Sequence, residues 1–401
     1  MPVSPAPFRA PHIDTLRGIA VFGILLVNIW SFVWGFESLR YGVLPAAASL
    51  YDRVAVFMVA FIAEQKFYPI FAFLFGAGFA LHTRALKRRL GTWQRVRKTY
   101  RRRLAWLVGC GVLHGTLIWF GDILTVYGIA GFFLLPFAGA RLRKVRMALW
   151  IWSAAWIVLI VLNVLTALPL SDDDVTRALG ISLIDAAQQA RAVYTEGTVA
   201  EVAWRRLNDY ASVSLQSVLL LPHLMVLFLL GTLSIRLGWL IRPWRHRALW
   251  RRVRSTGFAL GIPFSLLWAW LALDEAINPL LGSPHLFTAF ALLPLGGSLL
   301  AAAYVASLML AGIPTMRHLG NWLAPVGRMA LTNYLSQSVL CVILLQSVGL
   351  GLGAKLAPAQ LILIAIMIMV LQVVVSRWWL ARNKQGPIEI LYRRHADAGI
   401  D

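Results

Sequence analysis

His114 and Asp122 stand eight residues apart at one end of an apolar stretch, about 12 Å if the chain stays helical. Gly121, just before Asp122, permits a tight turn, and Tyr127 follows shortly after. An imidazole poised near neutral pH serves as a general base, and a carboxylate near it can orient the ring. The alternative is a histidine that only makes a packing hydrogen bond, and both readings stand. Other polar groups sit in equally apolar surroundings, where an ionisable residue costs a few kcal/mol. Asp14 and Arg17, three apart, share one helical face at the start of the first apolar run, with Asn28 about three turns deeper. They form either a site or a capping and snorkelling pair with an interhelical hydrogen-bonder beyond it. Glu64 and Lys66 precede Phe67-Tyr68-Pro69 and Gly76-Ala77-Gly78, as an interfacial anchor or as part of a site. The densest stripe is Arg328 with Thr332, Asn333, Tyr334, Ser336, Gln337 and Ser338. Residues 328, 332 and 336 share a face, with 333 and 337 beside them. Such a stripe must face protein or water, and a functional cavity is expected there. His223, after Pro222, is a weaker candidate.

These groups need elements that lipid tolerates. The chain has 401 residues, 59% hydrophobic and only 14% charged, against about a quarter charged in soluble domains. Apolar runs of about 20 residues recur along its length, each able to cross a bilayer as a helix. Nothing shows the alternation of an outer-membrane barrel, which leaves helices to satisfy the backbone in lipid. The expected fold is an all-α membrane protein, a bundle of about ten transmembrane helices in a single polytopic domain over 1–401. The spans are 16–36, 54–82, 103–120, 123–140, 146–168, 211–236, 254–273, 287–312, 329–349 and 357–380. The first is too long for a signal-peptide core and has no small-residue cleavage pattern behind it. The second is interrupted by Glu64-Gln65-Lys66 and Pro69. It is either one kinked span or a short surface helix followed by a span from Lys66 to His82. A broken pair of half-helices, the sign of a transporter, is not evident.

The net charge of +21 sits between the apolar runs, which reads as topological signalling rather than nucleic-acid binding. Arg84–Arg103, Arg141–Lys144, Arg242–Arg254 and Arg377–Arg394 are basic. They alternate with Ser171-Asp172-Asp173-Asp174 and Asp274-Glu275. That alternation places both termini in the cytoplasm, and the basic loops would attract anionic lipid heads or a polyanionic substrate. Residues 169–210 form an outer segment of two short helices. Gly197 stops the first, and Thr198-Val199-Ala200-Glu201 is a capping box opening the second. The segment lies on the membrane surface, covers a pocket, or is a plain connector. Cys110 and Cys341 read as packing residues. Phosphate-binding glycine loops, zinc-type helices, nucleophile elbows and internal repeats are absent from the sequence, and no metal is expected.

Several stretches resemble the YeiB-type family of bacterial polytopic membrane proteins. They are Ile13-Asp14-Thr15-Leu16-Arg17-Gly18-Ile19-Ala20 through Asn28, Lys66-Phe67 through Gly78, and Leu113-His114-Gly115 with Trp119-Phe120-Gly121-Asp122-Ile123-Leu124. Gly327-Arg328-Met329-Ala330-Leu331-Thr332-Asn333-Tyr334-Leu335 and Gly386-Pro387-Ile388-Glu389 complete the set, in the right order along the chain. The part over roughly 10–165 is similar to heparan-alpha-glucosaminide N-acetyltransferases, with a family C-terminal part over 211–395. This resemblance implies acyl transfer from cytosolic acyl-CoA, with acetyl-CoA the favoured donor, to an outer small-molecule, glycan or lipid acceptor. It implies a bacterial inner-membrane location and is compatible with a homo-oligomer. Arg17, Arg103 and Arg328 would hold the coenzyme A phosphates. His114, oriented by Asp122, would deprotonate the acceptor hydroxyl or amine. Asn28, Asn333, Tyr334 and Gln337 would stabilise the oxyanion or hold substrate. Asp14, Glu64, Lys66 and His223 are secondary candidates. The acetyltransferases carry a catalytic histidine shortly after the position of Asn28, whereas this chain has no histidine between Trp30 and His82. The base must come from elsewhere, or the chain is a transporter or binding protein on the same scaffold.

Overall fold

A computed structural model of the chain describes residues 11–35, 44, 48–167, 173–277 and 284–397. Phe36, residues 168–172 with Ser171 and Asp172, and the chain ends lie outside the described residues. Among the described residues all regular structure is helical. The first part holds α1 (Pro11–Asn28), α2 (Ser31–Trp34), α3 (Leu50–Ile62), α4 (Phe67–Leu90), α5 (Trp93–Leu117) and α6 (Leu124–Leu134). Then come α7 (Leu142–Ala167), α8 (Asp173–Glu196), α9 (Val199–Gln216) and α10 (Leu221–Arg236). The rest is α11 (Arg247–Ile277), α12 (Pro284–Leu310), α13 (Ile313–Arg328), α14 (Ala330–Leu345), α15 (Pro358–Arg382) and α16 (Pro387–Asp397).

Six stretches among the described residues are long and apolar enough to cross a membrane, and the α13–α14 pair makes a seventh if taken as one bent span. Ten are expected from the sequence. The difference lies in helices that are short or charged. α1 carries Asp14 and Arg17 in its first half, and α5 opens with Arg95, Arg97, Lys98 and Arg101–Arg103. α6 has 11 residues and α14 has 16. The first expected span also breaks, because α1 ends at Asn28 and α2 begins at Ser31.

The interruption before α4 is internal to the bundle. Gln65 takes a left-handed φ of 59°, and Glu64 and Lys66 are each 0% exposed. Lys66 Nζ donates to the Ala60 carbonyl at 3.0 Å, one of the carbonyls released where α3 ends. Trp268 Nε1, on α11, donates to Glu64 Oε2 at 2.6 Å. Pro69 lies in the first turn of α4, where a missing N–H costs nothing. It therefore marks a beginning rather than a kink. α3 packs on α11 and α15, so it is a wall of the bundle rather than a detached surface helix. At Met329 the chain turns by 76° between α13 and α14. That sharp turn corrects the expectation that no broken pair of half-helices occurs. α13, unanticipated from hydropathy, lies along α1, where Gly18 and Gly327 let the backbones touch.

Small residues set the packing elsewhere too. Gly76 of α4 abuts the backbone of Phe228, and Gly231 of α10 abuts the backbone of Phe73. Side chains at either position would separate the helices. The α8–α9 segment folds with the expected punctuation. Glu201 N donates to Thr198 Oγ1 at 3.3 Å, and Thr198 N donates to Glu201 Oε2 at 2.7 Å. Its helices are longer than expected, 24 and 18 residues. α9 passes through a 3₁₀ turn at Ser217–Leu220 into α10.

Candidate active site

α5 ends at Leu117, and the chain turns through Trp119–Ile123 into α6. Gly111 permits that return. A β-carbon there would strike the backbone N and Oγ1 of Thr125 and Oδ2 of Asp122. Asp122 Oδ2 accepts from Thr125 N at 2.7 Å, capping the start of α6. Its Oδ1 lies 3.0 Å from His114 Nδ1. Both side chains are buried, at 1% and 0% exposure. An ionised carboxylate only accepts hydrogen bonds, so the proton of a neutral imidazole sits on Nδ1. Nε2 then carries the lone pair, and it is buried with no hydrogen-bond partner among the described residues. An imidazole held by a carboxylate at one nitrogen and open at the other is built to take a proton.

Two aromatic side chains flank the imidazole, and a third lies nearby. Trp119 stands edge-on to it at 6.3 Å and stacks on Phe32 at 4.5 Å. The indole N–H of Trp119 is also buried without a partner among the described residues. Tyr334 reaches from α14 to 5.2 Å from the imidazole. Its hydroxyl accepts from Ile123 N at 3.3 Å and donates to the Gly121 carbonyl at 3.4 Å, fixing the turn. Tyr210 of α9 lies over Gly115 and shares a hydrogen bond with Thr125 Oγ1 at 3.1 Å. Arg206 Nη1 donates to the Leu117 carbonyl at 2.6 Å. α9 thus packs over the end of α5 and the turn that carries Asp122. Tyr194 of α8 donates to Asp209 at 2.6 Å, locking α8 to α9. Burial and then the Asp209 carboxylate hold that phenol well above its ordinary pKa, so it remains a donor.

The remaining sequence candidates divide. Asn28 closes α1, its carbonyl accepting from Ser31 Oγ at 2.7 Å. Asn333 and Gln337 do not join the dyad. Asn333 Nδ2 donates to Val326 O at 3.1 Å and to Ser376 Oγ at 3.0 Å. Gln337 Nε2 donates to Gln372 Oε1 at 2.8 Å, and Gln372 Nε2 returns to Asn333 O at 2.8 Å. Through Asn333, Ser336 and Gln337 the polar stripe of α14 bonds to Gln372 and Ser376 of α15. Arg328 Nη2 donates to the Lys384 carbonyl at 3.0 Å. Arg17 pairs with Asp14 at 3.0 Å. Together with Arg103 and Arg393 it is a charged neighbour of His82. Arg103 is 5% exposed and lies over Tyr392 of α16 at 5.8 Å. It shares α5 with His114, eleven residues and roughly 16 Å along the axis. His223 has both nitrogens engaged, with Tyr68 Oη and Ser298 Oγ each at 2.8 Å, and stacks on Trp156.

Gly111 and Tyr210 carry no sequence signal beyond their type, and Trp119 and Glu389 are visible there only as members of the family-like stretches. Glu389 accepts from Leu331 N at 2.9 Å, Thr332 N at 3.1 Å and Thr332 Oγ1 at 2.6 Å, capping α14. Its place in the quoted tail was visible, but its role was not. No group of three His, Cys, Asp or Glu side chains among the described residues could hold a metal.

Residues 234–398 match a family described as a protein of unknown function (DUF418). The uncharacterised protein YeiB of Escherichia coli (strain K12) is 29% identical, covering 96% of this chain and 96% of its own. The uncharacterised protein YxaH of Bacillus subtilis (strain 168) is 30% identical over 407 residues, covering 96% and 93%. The chain belongs to the YeiB-type family. An uncharacterised 39.9 kDa protein from the amylase 3′ region of Bacillus acidopullulyticus is 28% identical over a similar extent. In this YeiB-type chain the His114–Asp122 dyad precedes the DUF418 stretch, whereas Tyr334 and Glu389 fall within it.

Proposed function

We propose that the chain is a membrane-embedded acyltransferase, with ten crossings of a bacterial inner membrane and both termini cytoplasmic. The observation that carries this reading is the buried His114 Nε2, unpartnered while Asp122 holds Nδ1. Nε2 takes the proton of an acceptor hydroxyl or amine, and the acceptor atom attacks the thioester carbonyl of an acyl-CoA. The tetrahedral oxyanion collapses, the C–S bond breaks, and the imidazolium returns its proton to the departing thiolate. The indole N–H of Trp119 is the donor best placed for the oxyanion, since Asn333 and Gln337 are engaged by α15. Arg17, Arg103 and Arg393 give the inner face a cationic cluster suited to coenzyme A phosphates. The acceptor class is a small molecule, glycan or lipid, and anionic lipids surround the inner loops.

The test uses purified full-length protein in lipid nanodiscs with acetyl-CoA and a bacterial envelope extract as acceptor. Free coenzyme A thiol is followed by a chromogenic reagent. His114→Ala and Asp122→Asn should each lower release by about 10²-fold or more while melting curves stay close to wild type. Unchanged release in His114→Ala removes it from the chemistry. A carrier reading rests on a separate observation, the break at Gln65 with Glu64 and Lys66 fully buried beside it. It is favoured if calorimetry finds no thioester binding and Lys66→Met alone abolishes substrate movement.

A further inference from the structure

α11 and α12 frame a basin of about 380 Å³ lined by Arg247, Arg251, Arg254 and Leu310. The three arginines stand at i, i+4 and i+7, so they share one face of α11. All three are exposed, and none makes a side-chain hydrogen bond or ion pair among the described residues. Guanidinium groups gathered without a carboxylate repel one another, and a bound anion relieves that repulsion. Their planar forks match phosphate oxygens in pairs.

The location selects which anion. The arginines lie near the start of the apolar stretch Pro243–Asp274, and Leu310 ends the stretch Ala291–Leu310. The basin therefore sits where two adjacent spans leave the membrane, at the depth of lipid phosphates. Trp244, 64% exposed, is placed at the same level, where indole rings favour the headgroup region. Leu310 supplies an apolar wall that a lipid chain would meet and a soluble phosphate would not. We infer that this basin binds the phosphate of an anionic phospholipid. The inference stands independently of acyl transfer.

The experiment is native mass spectrometry of the full chain in mild detergent, with phosphatidylglycerol, phosphatidylcholine and inorganic phosphate as probes. Wild type should retain phosphatidylglycerol over phosphatidylcholine by about tenfold or more. The variant Arg247→Gln/Arg251→Gln/Arg254→Gln should lose that preference. A control with the same charge change off the basin, Arg242→Gln/Arg245→Gln/Arg252→Gln, should keep it. Equal retention by wild type and the basin variant overturns the site, as does an equal loss in the control. Complete displacement of phosphatidylglycerol by inorganic phosphate overturns the lipid assignment.

Discussion

At the scale of single residues, the dyad depends on an absent side chain as much as on the two present. Asp122 reaches His114 only because Gly111 offers no β-carbon to the returning turn. Gly111→Ala should therefore destabilise the fold by about 1–3 kcal/mol through overpacking against the backbone of Thr125. It should also shift Asp122 off Nδ1. A melting point in detergent measures the first effect, and the pH dependence of coenzyme A release measures the second. A variant that melts and reacts like wild type would show that the turn has slack the geometry does not indicate. His223 offers the contrast. It is as buried as His114, but both its nitrogens are engaged, so it ties α4, α10 and α12 together and has no free nitrogen for chemistry.

At the scale of elements, polar residues in lipid-facing sequence sort by what the neighbouring helix presents. α14 carries Asn333, Ser336 and Gln337, and α15 presents Gln372 and Ser376 opposite them. Interhelical hydrogen bonds of this kind contribute about 0.6–2 kcal/mol. Gln372→Leu should accordingly lower the melting point, because Gln337 Nε2 and the Asn333 carbonyl lose their partner in a buried seam. The rate per folded molecule should change by less than about threefold, which is under 1 kcal/mol of barrier. A large loss of rate with unchanged melting would assign Asn333 and Gln337 to the chemistry instead. The break between α3 and α4 follows the same logic in reverse. Carbonyls released at the end of α3 receive Lys66, and Glu64 receives the Trp268 indole, so two ionisable side chains are held inside the bundle.

At the scale of the whole molecule, orientation is the consequence most directly measured. The proposed topology puts the end of α4 inside and the α8–α9 segment outside. With single cysteines introduced at Arg89 and Asn208, both exposed positions, an impermeant maleimide on intact cells should label Asn208→Cys and spare Arg89→Cys. The reverse pattern would invert the bundle. Much of the architecture was legible from the sequence alone, because it rests on local physics. Apolar runs must be helical in lipid, and Thr198 and Glu201 cap a helix wherever it lies. The pairing of His114 with Asp122 was also within reach, since only eight residues and one turn separate them. What hydropathy could not supply was the partner of each polar group, which depends on residues far away along the chain. Tyr334 and Asn333 are adjacent on α14, yet one faces the imidazole and the other faces α15. A helix places neighbouring side chains about 100° apart. Only the packing of the bundle decides which of the two meets the site.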